Sequence, residues 1–360
     1  MTRKQAIKNV LAFKPVSPTP YNLDFTRTMR ARLAAHLGKQ DVDEAIGNYM
    51  LQINVGSNAG AEINRVAGGL MKPLGEGRPF DHAQGRPELV EGRFEDEFGV
   101  VWHKSPGDDV GIPVNQVVIE PKADLCKVPD PADPVRWIGY ERLASTAGDR
   151  YILACFSSPL FQRAWFLRGM ADLLMDMAAD EGFVHALLDR LMKFSIGIVR
   201  EVAKRKADGI FFYDDYGQQK GLLFSPAMFR RYFAPRLERI VREARALGMD
   251  VFLHSCGDVS SVLEDICAAG VQVFNPFQPE VMDVAKVARQ FTGRLGFYGG
   301  ISTQHTLPHG SPADVRAEVR RMIALFKDTG GYILAPAHAV QADVPVENVL
   351  ALLEAVRGAG

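Results

Sequence analysis

Long apolar runs are missing from this 360-residue chain. None approaches the ~20 residues that a membrane-spanning helix requires, which argues against a membrane protein. A surplus of charge of one sign is missing too, since 42 Lys and Arg stand against 43 Asp and Glu for a formal net charge of −1. That balance disfavours nucleic acid or an anionic membrane surface as the main partner. The opening stretch "MTRKQAIKNVLAFKPVSP" lacks the apolar segment and small-residue cleavage site of a secretory leader, so the expectation is a cytoplasmic protein. Cysteine is sparse. Cys126, Cys155, Cys256 and Cys267 follow no framework spacing, which in such a chain points to free thiols or a metal site rather than disulfides.

What is present is enough apolar material, 47% of the residues, to bury a large core. Residues 22 to 55 carry Leu, Met, Ile and Ala at three- and four-residue spacing and predict a helical lead-in. Between about 56 and 140 only "GVVWH" and "VNQVVIE" resemble strands. Near-repeats of Gly-Arg-Pro at 77–79 and 85–87 mark residues 76–93 as an inserted surface loop. From about 150 the pattern becomes regular: "RYILACF", "GIFFYDD", "DVFLHS", "VQVFNP", "RLGFYGG" and "GYILAPAH" read as strands separated by amphipathic helices. Strand, helix, strand in alternation means parallel pairing with right-handed crossovers. Five successive strands end in polar or small residues, which is how a closed barrel builds its active site, whereas an open sheet does so at one switch point. The expectation is an α/β chain folded over 1–360 as one (β/α)8 TIM barrel, with an N-terminal helical extension over 1–55 and the inserted loop.

The strand ends supply the candidate chemistry. His254 and Cys256 in "VFLHSCGDVS" lie two residues apart and project to the same side of an extended segment. Imidazole and thiolate together suit zinc above other ions. A bare His-x-Cys is more often a core cysteine beside a hydrogen-bonded histidine, and a third donor is needed to change that reading. His338, in "YILAPAHAVQADVP", is the candidate for metal ligand, with a rim histidine that only binds substrate as its alternative. Three ligands and an open position describe a catalytic zinc. Asp214 and Asp215, with Tyr213 beside them, are candidate catalytic groups: ligand, general acid or base, or anchor, against a plain capping role. Gln218, Asn275, Gln278, Tyr298, Gly299 and Gly300 are weaker candidates for substrate binding, the glycine pair being either an anion-facing turn or a tight strand-to-helix connection.

Taken in order, HSCGD, NPFQPE, GGIST and LAPAHAVQADVP closely resemble the uroporphyrinogen decarboxylase superfamily, over about residues 150 to 357. The resemblance implies one of two activities: metal-free decarboxylation of porphyrinogens, or zinc-dependent methyl transfer involving a corrinoid protein or a thiol. The arginine-rich RQAGR-type motif of the decarboxylases does not occur, and "TRTMRARLAAH" stands in its region. In the methyltransferase branch His-x-Cys and a later cysteine bind zinc; here His254 and Cys256 match, and His338 stands about where that cysteine is expected. Two nitrogens and one sulfur carry less negative charge and leave a stronger Lewis acid. The resemblance therefore implies a zinc-dependent methyltransferase that moves a methyl group from a small methylated substrate, such as a methoxylated aromatic, to a corrinoid protein. No Asp-x-His-x-x-Gly sequence occurs, so the corrinoid (cobalamin) would reside on a separate partner. The alternative is a metal-independent carboxy-lyase of the same fold. Barrels of this type often pair, which makes a homodimer a further expectation.

Overall fold

The structure is a computed structural model that describes residues 1–55, 71–74, 92–104 and 111–358. In chain order its strands are β1 (Met50–Asn54), β2 (Met71–Leu74), β3 (Gly92–Asp96), β4 (Val101–Lys104), β5 (Ile112–Pro113), β6 (Tyr151–Ser157), β7 (Gly209–Tyr213), β8 (Gly217–Gln218), β9 (Gly221–Leu222), β10 (Asp250–His254), β11 (Val273–Phe277), β12 (Gly296–Ile301) and β13 (Tyr332–Pro336). Seven of them form one parallel sheet in the order β1-β6-β7-β10-β11-β12-β13. All six strand segments expected beyond residue 150 are present in it. Strands β2 to β5 make a separate antiparallel sheet, and β8 with β9 a short hairpin.

The sheet curls until only one stave is missing between β13 and β1, and residues 20–25 fill it. Tyr21 and Phe25 form parallel bridges to Leu334 and Val340. On the other side the Tyr49 N–H donates to the Tyr21 carbonyl at 3.2 Å. Further along, side chains replace the ladder. Asn22 Oδ1 accepts from the Met50 N–H at 2.9 Å. Asn48, 1% exposed, takes the Leu23 N–H on Oδ1 at 2.8 Å and returns Nδ2 to the Leu23 carbonyl at 2.9 Å. Eight staves thus enclose the barrel, the last in irregular backbone. This corrects the expectation of continuous helix over 22–55. The helices there are Arg27–Leu37 and Val42–Ile46, each ended by a glycine in the left-handed region, Gly38 (φ 63°) and Gly47 (φ 74°). The spaced apolar residues after Gly47 belong to β1, where Met50 and Ile53 are buried.

A second correction concerns "VNQVVIE". The N–H groups of Val117 and Val118 both donate to the Leu167 carbonyl, so this stretch caps the end of the helix Phe161–Arg168 instead of forming a strand. Of the insertion expected at 76–93, residues 76–91 lie outside the described residues, and the last two open β3.

Inward-facing residues follow the two-residue period of the strands. Tyr151, Leu153 and Cys155 on β6, Phe211 on β7, Phe252 on β10 and Ile333 on β13 form one interior cluster. Ile7 and Val10 join it from the helix Arg3–Leu11, which closes the amino-terminal mouth. Lys8 Nζ fastens that helix to Asp250 at 2.5 Å, and the Tyr151 hydroxyl donates to the same carboxylate at 2.8 Å. With one mouth plugged, the carboxyl ends of the strands face the open one. Among the described residues no helix is long and apolar enough to cross a membrane.

Replacing Asn48 by Ala leaves the buried Leu23 N–H and C=O without partners. Each such group costs about 1–3 kcal/mol, so Asn48→Ala should lose roughly that amount for each of the two in urea unfolding; a loss below about 1 kcal/mol would show that the eighth stave does not depend on this side chain.

Candidate metal centre

The fold brings His254, Cys256 and His338 together, with one donor atom of each within 4.8 Å of the others. His254 is the last residue of β10, Cys256 lies on the turn that follows, and His338 lies two residues beyond β13. Gly257 makes the turn possible. It sits at φ 81°, and a Cβ there would stand 2.4 Å from the backbone nitrogen of Gln218.

The tautomer of His254 follows from its neighbours. Asn275 Nδ2 donates to the Tyr298 carbonyl at 2.9 Å, which turns its amide oxygen toward His254. That oxygen only accepts, so the Nδ1–H of His254 donates to it at 2.5 Å. Nε2 is left as a lone pair aimed at Cys256 Sγ, 3.2 Å away. This is the arrangement in which an outer partner fixes a metal-binding imidazole. Tyr213 holds the same ring from another side, with centroids 4.9 Å apart, and the His338 ring lies 6.1 Å away.

Burial and the neighbouring Asp215 carboxylate push the Cys256 thiol well above its ordinary value. Without a cation that thiol keeps its proton at neutral pH and donates it toward Nε2. A bound cation would reverse this, because the thiolate is the ligating form. Asp215 is itself positioned: Oδ1 accepts the Cys256 N–H at 2.8 Å, and Oδ2 accepts from Gln162 Nε2 at 2.9 Å. Its Oδ1 stands 3.6 Å from His254 Nε2. Two imidazoles and a thiol of this spacing, with the His254 tautomer already set, would suit a zinc ion held by three protein ligands.

Next to these donors lies a cavity of about 310 Å³, lined among others by Asn22, Gln52, Asn54, Gln162, Phe211, Tyr213, Asp215, Asn275, Tyr298 and Gln341. Tyr298 is tied in through its hydroxyl, which accepts from Gln52 Nε2 at 3.0 Å.

The sequence profile of the uroporphyrinogen decarboxylase (URO-D) family matches residues 107–359. The chain belongs to the uroporphyrinogen decarboxylase family. Curated relatives agree: uroporphyrinogen decarboxylase of Thermus thermophilus is 26% identical over 263 residues, 72% of each chain. That of Enterobacter sp. is 25% identical over 252 residues, covering 66% of this chain and 69% of the relative. Among solved structures, a methyltransferase from Methanosarcina mazei superposes with a TM-score of 0.73 over 99% of both chains at 17% identity, a likeness that shows the fold.

Within this uroporphyrinogen decarboxylase barrel, the residues singled out from sequence separate into two groups. Tyr213, Asp215, His254, Asn275 and Tyr298 line the cavity, as does His338. Asp214 does not. It is 0% exposed, and its carboxylate accepts from the N–H groups of Phe161 and Gln162 at 2.9 and 2.7 Å and from the Tyr216 hydroxyl at 2.9 Å. Burial raises this carboxyl to about 7 against the pull of those donors. Its place is the first turn of the helix Phe161–Arg168, a capping role that also holds Gln162 beside Asp215.

Gln218 lies on the short hairpin outside the cavity and supports the turn after Cys256, its carbonyl accepting from the Asp258 N–H at 2.8 Å. Gln278 is buried away from the cavity lining, its carbonyl taking the Met282 N–H at 3.1 Å. The glycine pair serves packing, since a Cβ on Gly299 would stand 2.7 Å from the Phe277 nitrogen and one on Gly300 2.6 Å from the Tyr332 hydroxyl. Asn22, Gln52, Asn54, Gln162 and Gln341 went unremarked in the sequence. The signal for the first three was the polar residues of "YNLDF" and "LQINV", which the helical reading of 22–55 concealed.

Because Asn275 sets the tautomer of His254, Asn275→Leu should weaken zinc binding by about 10–100-fold in a chelator competition titration while the circular dichroism stays native. An unchanged affinity would remove Asn275 from the account.

Proposed function

We propose that the protein is a zinc-dependent methyltransferase that takes a methyl group from the oxygen of a small methylated substrate, a methoxylated aromatic for example, and delivers it to the corrinoid of a separate protein. The observation that carries this reading is the His254, Cys256 and His338 cluster beside a small cavity at the open mouth of the barrel. Zinc held by these three residues would supply Lewis acidity to the leaving oxygen.

The rest falls to the chain's own side chains. His254 enters the reaction with its tautomer and ring plane already fixed by Asn275 and Tyr213, so no reorganisation is required of it. Asp215, gripped at both oxygens, stands at the cavity wall beside the donors, placed to complete the coordination or to orient the substrate. As the C–O bond breaks, its electron pair stays on oxygen, and the methyl carbon passes to the electron pair of the reduced corrinoid acceptor. Tyr213 and Tyr298 form the inner wall against which the substrate ring is oriented.

A metal-free decarboxylation is the second reading, favoured by the names of the curated relatives. One experiment separates the two. Protein loaded with zinc is mixed with reduced cobalamin and a panel of methoxylated aromatics, and the methylated cobalamin spectrum is followed. Formation of methylcobalamin that falls at least about 100-fold in Cys256→Ala is the expected result, because the residue supplies the only charged ligand of the cluster. No methyl transfer to the cobalamin, with carbon dioxide released from a porphyrinogen instead, would overturn the proposal.

A further inference from the structure

The segments that follow β7 and β10 run side by side beyond the ends of their strands. The Asp214 N–H donates to the His254 carbonyl at 3.0 Å, and the Tyr216 N–H to Ser255 Oγ at 2.9 Å. In the other direction the Cys256 N–H donates to Asp215 Oδ1 and the Asp258 N–H to the Gln218 carbonyl, both at 2.8 Å. The turn that carries Cys256 is thus tied along its length to residues 214–218.

Between these bonds the two backbones touch at glycines. A Cβ on Gly217, the first residue of β8, would stand 2.6 Å from the Cys256 carbonyl oxygen and 3.0 Å from Val259 Cγ1. Gly257 needs its left-handed φ in any case, but Gly217 lies outside that region, so the close approach to Cys256 is what requires a glycine there. The segment that presses on the turn is itself pinned. Tyr216 is fully buried, its hydroxyl donates to Asp214 at 2.9 Å, and its ring packs on Phe229 and Phe233 with centroids 5.0 and 5.6 Å away. Both phenylalanines come from one π-helical turn, Phe229–Phe233.

We infer that residues 214–218 and the hairpin they lead into are a splint for Cys256, and that Gly217 is a positioning residue whose missing side chain lets the splint hold Sγ against His254 Nε2. The inference rests on the metal centre of the proposed function and is independent of methyl transfer.

Gly217→Ala tests it, because the backbone there accepts a side chain while the Cys256 carbonyl has to move. In the metal-free protein the amides of Cys256 and Asp258 should exchange with deuterium at least about tenfold faster. Zinc should be held about tenfold or more weakly in chelator competition. Tyr216→Phe, which unpins the splint from Asp214 and keeps the ring, should move both readouts in the same direction. Gly248→Ala is the control for plain loss of stability: its φ of 81° strains any side chain, yet among the described residues nothing lies within 4 Å of the added Cβ. It should lower the melting temperature and leave exchange at Cys256 and Asp258, and zinc affinity, as they were. Native exchange in Gly217→Ala, faster exchange with zinc affinity unaltered, or the same changes in Gly248→Ala would overturn the inference. An unaltered protein that holds no zinc would overturn the metal centre, and exchange would then decide the splint alone: faster only in the Gly217 and Tyr216 variants supports it, and native rates overturn it.

Discussion

The hydrogen bond between His254 and Asn275 is the constraint on which the site depends. It fixes the Nδ1 proton and so frees Nε2 to face Cys256. Asn275 can do this because β12 offers it the Tyr298 carbonyl. From the side chain of Tyr298 the contacts continue to Gln52 on β1, and from Gln52 Oε1 to the Tyr213 hydroxyl on β7 at 3.4 Å. Tyr213 returns to the face of His254. The His254 imidazole therefore sits in a polar ring that crosses the barrel, and the ring closes only if the barrel does.

That dependence gives the irregular eighth stave its importance. A regular strand at 20–25 would use its backbone on both sides, whereas here Asn22 and Asn48 do part of the pairing with side chains. Asn22 thereby stands at the cavity wall as well as in the ladder. Beneath it the barrel is packed tight and plugged from below by Ile7 and Val10, which directs function to the open end.

The later two thirds of the chain were legible in sequence because each strand there is a short apolar run set between amphipathic helices, and because polar residues gather at the strand ends. His254, Cys256 and His338 could be named before any coordinates, and the fold brings them together. Two things were not legible. Residues 20–25 and β1 carry too little alternation to reveal a strand, since part of their pairing is done by side chains. Asp214 and Asp215 are chemically identical neighbours, and only the three-dimensional position of the helix Phe161–Arg168 assigns one to a buried cap and the other to the cavity.

The family to which the chain belongs includes decarboxylases by name, and the barrel itself does not choose between reactions. The choice rests on the three donors at its mouth. X-ray absorption at the zinc edge of the purified protein tests that claim most directly. The account predicts stoichiometric zinc with one sulfur at about 2.3 Å and nitrogen or oxygen neighbours at about 2.0–2.1 Å, the sulfur vanishing in Cys256→Ser. Protein isolated without chelator that holds no zinc, or zinc whose first shell contains no sulfur, would contradict it.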